Sequence, residues 1–199
     1  KRSINDKHSF FSCAFLLNLM ENPLFNPPNH PMNPITKPPF EVFPVVANET
    51  ITLREIQYSD IPDLREISFY NAIPAKTVEE AAEMNSKITK DYKAGNSIHW
   101  GIVENKSGKM VGTCGYYRGF EQGAGELGCV LLSQYRGQGL MNSALKLAIT
   151  FGLQTMNLKR IWAATSPQNK KAIQLLERLG LKKTRDTEGG EVEFDLVIT

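Results

Sequence analysis

The sequence predicts an α/β domain in which a mixed, mostly antiparallel sheet of six or seven strands is flanked by about four helices. Three observations predict it: short apolar or alternating segments have strand length, apolar residues at helical spacing recur between them, and Gly-containing turns separate them. The predicted order is a strand, two helices, three strands, a helix, a strand, a helix, and one or two strands. Consecutive strands joined by short turns pair antiparallel, whereas a helix between strands allows a parallel pair.

The first strand and two helices are predicted from alternation and capping residues. Residues 50–58 alternate apolar and polar side chains, as a half-buried strand does. Ser59 and Asp60 are residue types that cap helices, and three apolar residues at helical spacing follow them. Thr77 and Glu80 have the spacing of a capping box, and Gly95 is the expected end of that second helix.

The remaining elements follow from turn chemistry and apolar runs. Residues 105–108 suit a hairpin between two strands, and residues 126–132 form the largely apolar run of a central strand. The predicted strands are 97–104, 109–118, 126–132, 159–165 and 191–198, and the predicted helices are 140–156 and 169–179.

The composition excludes several classes of protein and partner. The 199 residues include 23 Lys plus Arg and 21 Asp plus Glu, so the near-neutral charge does not suggest a nucleic-acid partner. A hydrophobic content of 41% is ordinary for a globular domain and excludes collagen, coiled coil and wholesale disorder. The three cysteines lack metal-ligand spacing, so we expect no metal site, no disulfide framework, and a cytoplasmic location.

Proline and glycine divide the chain into two parts. Eight of the eleven prolines lie before residue 50, and all fifteen glycines lie at or after Gly95. Residues 1–46 are therefore predicted to be a Pro-rich extension, extended or partly disordered, and residues 47–199 a folded domain. The apolar stretch 10–20 has the length of a signal-peptide core, but Asp6 and the lack of a cleavage motif favour a short leader with no membrane partner.

The segment 126–141 carries the most chemical information. A strand runs into a turn of small and polar residues that opens directly onto a helix. Such a junction directs unpaired backbone N–H groups and the helix dipole at one point, where a diphosphate fits. Taken alone, the turn is equally compatible with an ordinary strand-to-helix connection.

Two other phosphate-binding motifs are not supported. The chain contains no Walker loop of the form GxxxxGK followed by Ser or Thr. Gly123, Gly125 and Gly128 match GxGxxG, but they precede a strand and do not open a helix, so we interpret this match as accidental.

The turn resembles the signature of the GNAT superfamily of acyl-CoA-dependent N-acyltransferases: Arg or Gln, two residues, Gly, one residue, then Gly or Ala. The matching residues are Arg136, Gly137, Gln138, Gly139, Leu140 and Met141. Met141 departs from the pattern but, with the preceding Glu-Leu-Gly at 126–128, resembles the branch of ribosomal-protein N-terminal alanine or serine acetyltransferases. Residues 169–181 resemble a second family motif, and the likeness extends over about 50–199.

The resemblance implies a fold and an acetyl-CoA site. The sheet would be splayed between its fourth and fifth predicted strands, 126–132 and 159–165. Backbone N–H groups from Arg136 to Met141 would bind the pyrophosphate of CoA. The backbone near Val130, Leu131 and Leu132 would pair with pantetheine, and Asn169 would face the pantetheine arm. For Asn169 a simple helix cap is the alternative.

The reaction that the resemblance implies is attack of a neutral amine on the thioester. An α-amine with a pKa of about 7.7–8.0 is roughly a tenth neutral at pH 7, whereas a lysine amine with a pKa of about 10.4 is almost wholly protonated. Glu126 is the candidate base, directly or through a water, and a solvated carboxylate is the alternative. Ala172 stands where this branch often carries a Ser, and Leu176 where other branches carry a Tyr, each able to protonate the leaving thiolate. Neither residue here can do so, which leaves Ser166, Tyr135 or solvent as unranked candidates for the general acid.

Two other residues, Cys129 and His99, are interpreted as structural and not catalytic. Cys129 is interpreted as a packing residue and not a nucleophile, because no histidine partner is identifiable. His99, beside Trp100, is interpreted as a strand residue and not a catalytic base.

The predicted function is acetyl transfer from acetyl-CoA to a primary amine, with a protein N-terminal α-amine favoured as the acceptor. A small amine such as a polyamine or an antibiotic is the alternative acceptor. A CoA-binding module without catalysis is the alternative from another class. A homodimer is an open expectation.

Overall fold

A computed structural model describes residues 34–197. The apolar stretch 10–20 and most of the Pro-rich segment lie outside the described residues. The strands are β1 (Val46–Ala47), β2 (Ile51–Arg54), β3 (Phe69–Tyr70), β4 (Ile73–Pro74), β5 (Ile98–Glu104), β6 (Lys109–Tyr117), β7 (Ala124–Leu131), β8 (Arg160–Thr165), β9 (Lys182–Asp186) and β10 (Val192–Val197). The α-helices are α1 (Ile61–Leu64), α2 (Val78–Lys93), α3 (Leu140–Gln154) and α4 (Lys170–Arg178).

Eight strands form the main sheet in the order β1-β2-β5-β6-β7-β8-β10-β9, and β3 pairs with β4 in a separate hairpin. All pairs in the main sheet are antiparallel except β7 with β8. The prediction of a mixed, mostly antiparallel sheet with four helices is confirmed. The strand count exceeds the prediction because β1, only two residues long, adds an edge strand that its sequence does not signal.

The parallel pair β7–β8 is short, and the sheet opens beyond it. Pairing joins Ala124 to Arg160 and ends where Glu126 faces Trp162. Beyond this point β7 continues to Leu131 and β8 to Thr165 without pairing to each other. The predicted splay between these two strands is therefore confirmed, and Glu126 lies where it begins.

The helices differ in how their first turns are capped. The Thr77 side chain accepts from the Glu80 N–H at 3.2 Å and so caps α2 as predicted. The first predicted helix, by contrast, is the single turn α1 continued by a 3-10 turn to Ile67. Asp60 does not cap α1 with its side chain, because its carboxylate binds the Arg54 guanidinium at 2.7 and 2.9 Å.

One face of the sheet packs against α3 to form the main core. Trp100 and Tyr116 are fully buried there, and the Tyr116 hydroxyl donates to the Ala148 carbonyl at 2.9 Å. Residues 34–45 also contribute, since the Phe40 ring contacts Phe151 edge-on and Trp100 Nε1 donates to the Pro44 carbonyl at 2.9 Å. Among residues 34–197, no helix is long and apolar enough to cross a membrane.

Candidate active site

A cavity of about 680 Å³ lies over the other face of β5, β6 and β7, between these strands and the segment containing α1, β3 and α2. Its helix side is largely apolar, and its strand side carries most of the polar groups. The helix side includes Ile61, Leu64, Ile67, Met84 and Ile88, and the strand side includes Ser97, His99, Thr113, Tyr117 and Glu126. A cavity of this size and mixed lining is typical of a small-molecule site.

Glycines in the sheet allow aromatic side chains to lie over the strands. The register aligns His99, Gly115 and Gly128 across β5, β6 and β7. A Cβ on Gly128 would overlap the Tyr117 ring, so glycine is required for this ring position. The Tyr117 ring in turn meets the His99 ring edge-on, with centroids 5.3 Å apart and an interplanar angle of 90°.

The Glu126 carboxylate lies at the point where the splay meets the cavity. Burial raises its pKa, and Arg118, with Nε 3.2 Å from Oε2, partly offsets this, while the charges of Glu191 and Glu193 raise it further. Apart from this ion pair, Oε2 has no hydrogen-bond partner among the described residues. A carboxylate with a raised pKa is suited to accept a proton.

Ser97 is buried and His99 is half-buried, and both lie beneath the same cavity. Neither ring nitrogen of His99 nor the hydroxyl of Ser97 has a hydrogen-bond partner in the described protein. Burial lowers the pKa of His99 to about 4, so the imidazole is neutral at physiological pH. His99 is indeed a strand residue, as interpreted from the sequence, but its side chain faces the cavity.

Ser97 and Tyr117 were missed as candidate site residues. Along residues 97–100, where β5 begins, the alternation of Ser97 and His99 with buried Ile98 and Trp100 indicates two different faces. That signal is present in the sequence, but it does not show which face is covered by α3.

The glycine turn before α3 presents its backbone to solvent. Gly137 and Gly139 both have φ of +80°, a conformation that favours glycine, and a Cβ at either would meet no atom within 4 Å. Gly139 is the N-cap of α3, so no side chain accepts from the first-turn N–H groups. Leu140 is buried and Met141 packs on the core, so both anchor the turn.

Two side chains hold this turn against the end of β7. Arg136 donates its N–H to the Ser133 carbonyl at 3.3 Å and its Nε to the Leu131 carbonyl at 3.1 Å. Gln138 Nε2 donates to the Gln134 carbonyl at 3.0 Å. The N–H group of Arg136 is thus already used, and the open backbone N–H groups are those that follow it.

The backbone of β7 offers hydrogen-bonding groups to the splay. Because the Leu132 N–H donates to the Val111 carbonyl at 3.0 Å, the antiparallel pattern directs the backbone of Val130 towards β6. The backbone groups of Cys129 and Leu131 then point away from β6, towards the gap left by β8. Of the predicted segment Val130 to Leu132, Leu131 provides this edge.

Asn169 caps α4, which was the alternative to a pantetheine contact in the sequence analysis. Its Oδ1 accepts from the Ala172 N–H at 3.2 Å. Leu176 is buried in the core, while Tyr135 is half-buried and packs against it. The Ser166 hydroxyl donates to the Gln168 side chain.

Cys129 has a thiol that is poorly suited to nucleophilic attack. It lies opposite Cys114 across β6 and β7. Although Cys129 as a whole residue is exposed, desolvation of its sulfur by the packed protein around it raises the pKa of the thiol to about 12. A protonated thiol is a weak nucleophile. Within residues 34–197, no group of three or more His, Cys, Asp or Glu side chains is placed to hold a metal ion.

Comparison with known families gives a match over most of the described chain. The family described as Acetyltransferase (GNAT) domain matches residues 50–182. The chain is 28% identical over 143 residues to the uncharacterized N-acetyltransferase p20 of Bacillus licheniformis, covering 68% of this chain and 80% of that protein.

Other relatives are named for particular acceptors. The chain is 31% identical over 99 residues to the [Ribosomal protein uS5]-alanine N-acetyltransferase of Escherichia coli, covering 48% of this chain and 50% of that enzyme. It is 33% identical over 55 residues to the spermidine N(1)-acetyltransferase of Escherichia coli, covering 28% and 30%. The solved ribosomal-protein-S5-alanine acetyltransferase of Vibrio fischeri superposes with a TM-score of 0.62 at 23% identity, covering 77% of this chain and 96% of that one.

Proposed function

Since this chain belongs to the GNAT acetyltransferase family, we propose that it transfers the acetyl group of acetyl-CoA to the α-amine of a protein N-terminus. Its activity as an N-acetyltransferase follows from the family, and the acceptor is the proposed part. The observation that carries the proposal is the position of Glu126, where the splay of β7 and β8 meets a cavity with an apolar wall.

The donor site is assigned to the splay and to the glycine turn. Backbone N–H groups of the segment from Gly137 to Met141 would bind the pyrophosphate, since no side chain caps them. The outward N–H group of Leu131, whose carbonyl already accepts from Arg136 Nε, would donate to pantetheine, with Val130 and Leu132 holding the strand in register. Asn169 would face the pantetheine arm through its amide NH₂, since its Oδ1 is engaged in the cap.

The reaction requires the amine to lose a proton before or during attack. The neutral amine forms a bond to the thioester carbon, the C–S bond breaks, and the CoA thiolate leaves and takes up a proton. Glu126 would accept, directly or through a water, the proton that the acceptor's ammonium group loses to become the neutral, attacking amine. The raised pKa of this carboxyl brings it closer to that of the amine, which favours the transfer.

The acceptor is inferred from the amine chemistry and from one relative. An α-amine, with a pKa of about 8, loses its proton more readily than a lysine or polyamine amine with a pKa above about 10. The relative that acetylates an alanine of ribosomal protein uS5 supports a peptide acceptor. The shorter match to a spermidine N(1)-acetyltransferase supports the alternative, a small polyamine.

A thiol-release assay with acetyl-CoA tests the proposal. Short peptides with free N-termini are compared with the same peptides blocked at the N-terminus and with spermidine. We expect turnover that depends on the free N-terminus and a higher kcat/KM for peptides than for spermidine. Turnover with spermidine alone would contradict the peptide acceptor and support the small-amine alternative.

The alternative from another class is a CoA-binding module without catalysis. It is motivated by Ala172 and Leu176, which cannot donate a proton to a leaving thiolate. Calorimetric binding of acetyl-CoA without thiol release across peptides and small amines would support this alternative.

A further inference from the structure

Unpartnered polar groups are concentrated in the cavity. Among the described residues, the buried side-chain atoms without a hydrogen-bond partner are Ser97 Oγ, His99 Nδ1 and Nε2, Glu126 Oε2, which is ion-paired with Arg118, and Asn142 Oδ1. All but the last belong to residues that line the one cavity over β5–β7. Because buried polar groups in proteins are normally hydrogen-bonded, this concentration indicates where a bound molecule completes the bonding.

Ser97 and His99 are neutral groups that can each donate and accept a hydrogen bond. A neutral imidazole has one N–H donor and one lone pair, and a hydroxyl has one donor and two lone pairs. An ammonium group offers only donors, so it would leave the imidazole N–H unpaired. An amide offers a carbonyl acceptor and an N–H donor and can satisfy both residues.

We propose that Ser97 and His99 recognise an amide group that the acceptor carries next to its reacting amine. This inference rests on the proposed function and assigns acceptor specificity to two residues outside the catalytic group. The acceptor class is an α-amino amide, such as the first residue of a peptide. Its side chain would lie against the apolar wall that includes Ile61, Leu64 and Met84.

The spacing across the sheet fits such an acceptor. The register that pairs Ile98 with Tyr116 places Ser97 beside Tyr117, and Tyr117 pairs with Glu126. Ser97 and Glu126 are thus two strand spacings apart, or about 10 Å. An acceptor residue between them would form one hydrogen bond of about 3 Å from its amide to Ser97 and one of about 3 Å from its amine to Glu126. With about 3 Å between the amine and the amide of one residue, these groups span a similar distance.

The test compares two primary amines that share the CH3–CH(NH2) group, alanine N-methylamide and sec-butylamine, which lacks the amide. With the full chain and saturating acetyl-CoA, Ser97→Ala and His99→Ala are expected to raise KM for alanine N-methylamide about 10-fold with kcat nearly unchanged. Neither variant should change kcat/KM for sec-butylamine by more than about 2-fold. His99→Asn, which keeps a donor and an acceptor, should recover part of the lost affinity.

Matched controls separate recognition from folding and from catalysis. Ser86→Ala removes an exposed hydroxyl on α2 and should leave both acceptors unchanged. Thermal unfolding identifies any variant that fails to fold, in which case Ser97→Ala, a loss of one buried oxygen atom, carries the test. An equal loss with both acceptors, or no loss with either, would overturn the inference. Absence of thiol release by the wild type with every amine would instead refute the proposed function, and this inference with it.

Discussion

Two neighbouring residues on β5 and two on β6 show how differently the faces of this sheet are built. Trp100 is fully buried, and its Nε1 donates to Pro44, whereas both nitrogens of the adjacent His99 lack a partner. Tyr116 is likewise buried with its hydroxyl bonded to Ala148, whereas the Tyr117 ring lines the cavity. On the face towards α3 the polar atoms of Trp100 and Tyr116 are hydrogen-bonded within the protein, whereas on the cavity face the His99 nitrogens have no partner among the described residues.

Residues that stabilise the fold and residues that line the cavity therefore alternate along the same strand. Successive side chains of a strand point to opposite faces, so one residue can pack in the core while its neighbour lines the cavity. Substitutions on the α3 face should change the free energy of unfolding, and substitutions on the cavity face should change kinetics. Substitutions on each face test whether stability and kinetics are divided in this way.

The largest expected effect is on stability, at Trp100. Trp100→Ala removes a fully buried indole and should lower the free energy of unfolding by about 3–5 kcal/mol in urea titrations. His99→Ala, one residue away, removes two unpaired buried nitrogens and should lower it by about 1 kcal/mol or less. Equal losses at both positions would show that the two faces are not divided in this way.

The second effect is on catalysis, at Glu126. Glu126→Gln should lower kcat/KM about 100-fold, or ~2.7 kcal/mol, because the base is lost. Since activity needs the unprotonated carboxylate and its pKa is raised, wild-type kcat/KM should fall as pH drops through a value above 4.5. This limb should be absent from the variant, while the ionisation of the acceptor amine remains in both.

The control for Glu126→Gln is Glu83→Gln on the exposed side of α2. It removes one carboxylate charge away from the cavity and should leave the rate and the pH profile unchanged. An unchanged rate and pH profile in Glu126→Gln itself would remove Glu126 as the base.

The third effect concerns the glycine under Tyr117. Gly128→Ala places a Cβ against the Tyr117 ring, and displacement of the ring should lower kcat/KM for the acceptor about 10-fold. Affinity for acetyl-CoA in calorimetry should change little. Gly189→Ala is the matched control, since its Cβ would meet only Thr187 Oγ1, at 3.8 Å. Full activity of Gly128→Ala would mean that the ring position does not matter.

The smallest effect compares the two tyrosines. Tyr116→Phe removes a buried hydrogen bond to Ala148 and should destabilise the protein by about 1 kcal/mol without altering kinetics. Tyr117→Phe should leave stability nearly unchanged, and any effect should be seen in acceptor KM. Thermal unfolding and steady-state rates measure both, and a stability loss only in Tyr117→Phe would reverse the assignment of the faces.

Local sequence signals predicted most elements, and their failures have identifiable causes. Thr77 predicted the start of α2 because a cap is a contact within one turn. Asp60 failed as a cap because the Arg54 guanidinium, six residues earlier, binds its carboxylate more strongly. Strand β1 was missed because two residues carry no periodicity, and only its pairing with β2 defines it.

The candidate site was predicted in part. The turn from Arg136 to Met141 and the position of Glu126 were recognised from their motifs, whereas Ser97 and Tyr117 were not. Motif residues are contiguous in sequence, but the cavity wall is assembled from β5, β6, β7 and α2, which are distant along the chain. The ion pair between Arg118 and Glu126 likewise depends on the antiparallel pairing of β6 with β7, so the sequence alone does not identify it.

The sequence by itself determined the order of the longer strands and helices, the glycine turn before α3 and the family to which the chain belongs, whereas the two-residue strands β1, β3 and β4 were not predicted. These depend on local periodicity, backbone conformation and short motifs, all of which a linear sequence contains. Only the tertiary structure decided which face of β5 and β6 is covered, and so which of His99 and Trp100 meets the cavity. Alternation makes the two faces distinct, but burial of one depends on where α3 and the segment 34–45 pack, and those contacts join residues far apart in the chain.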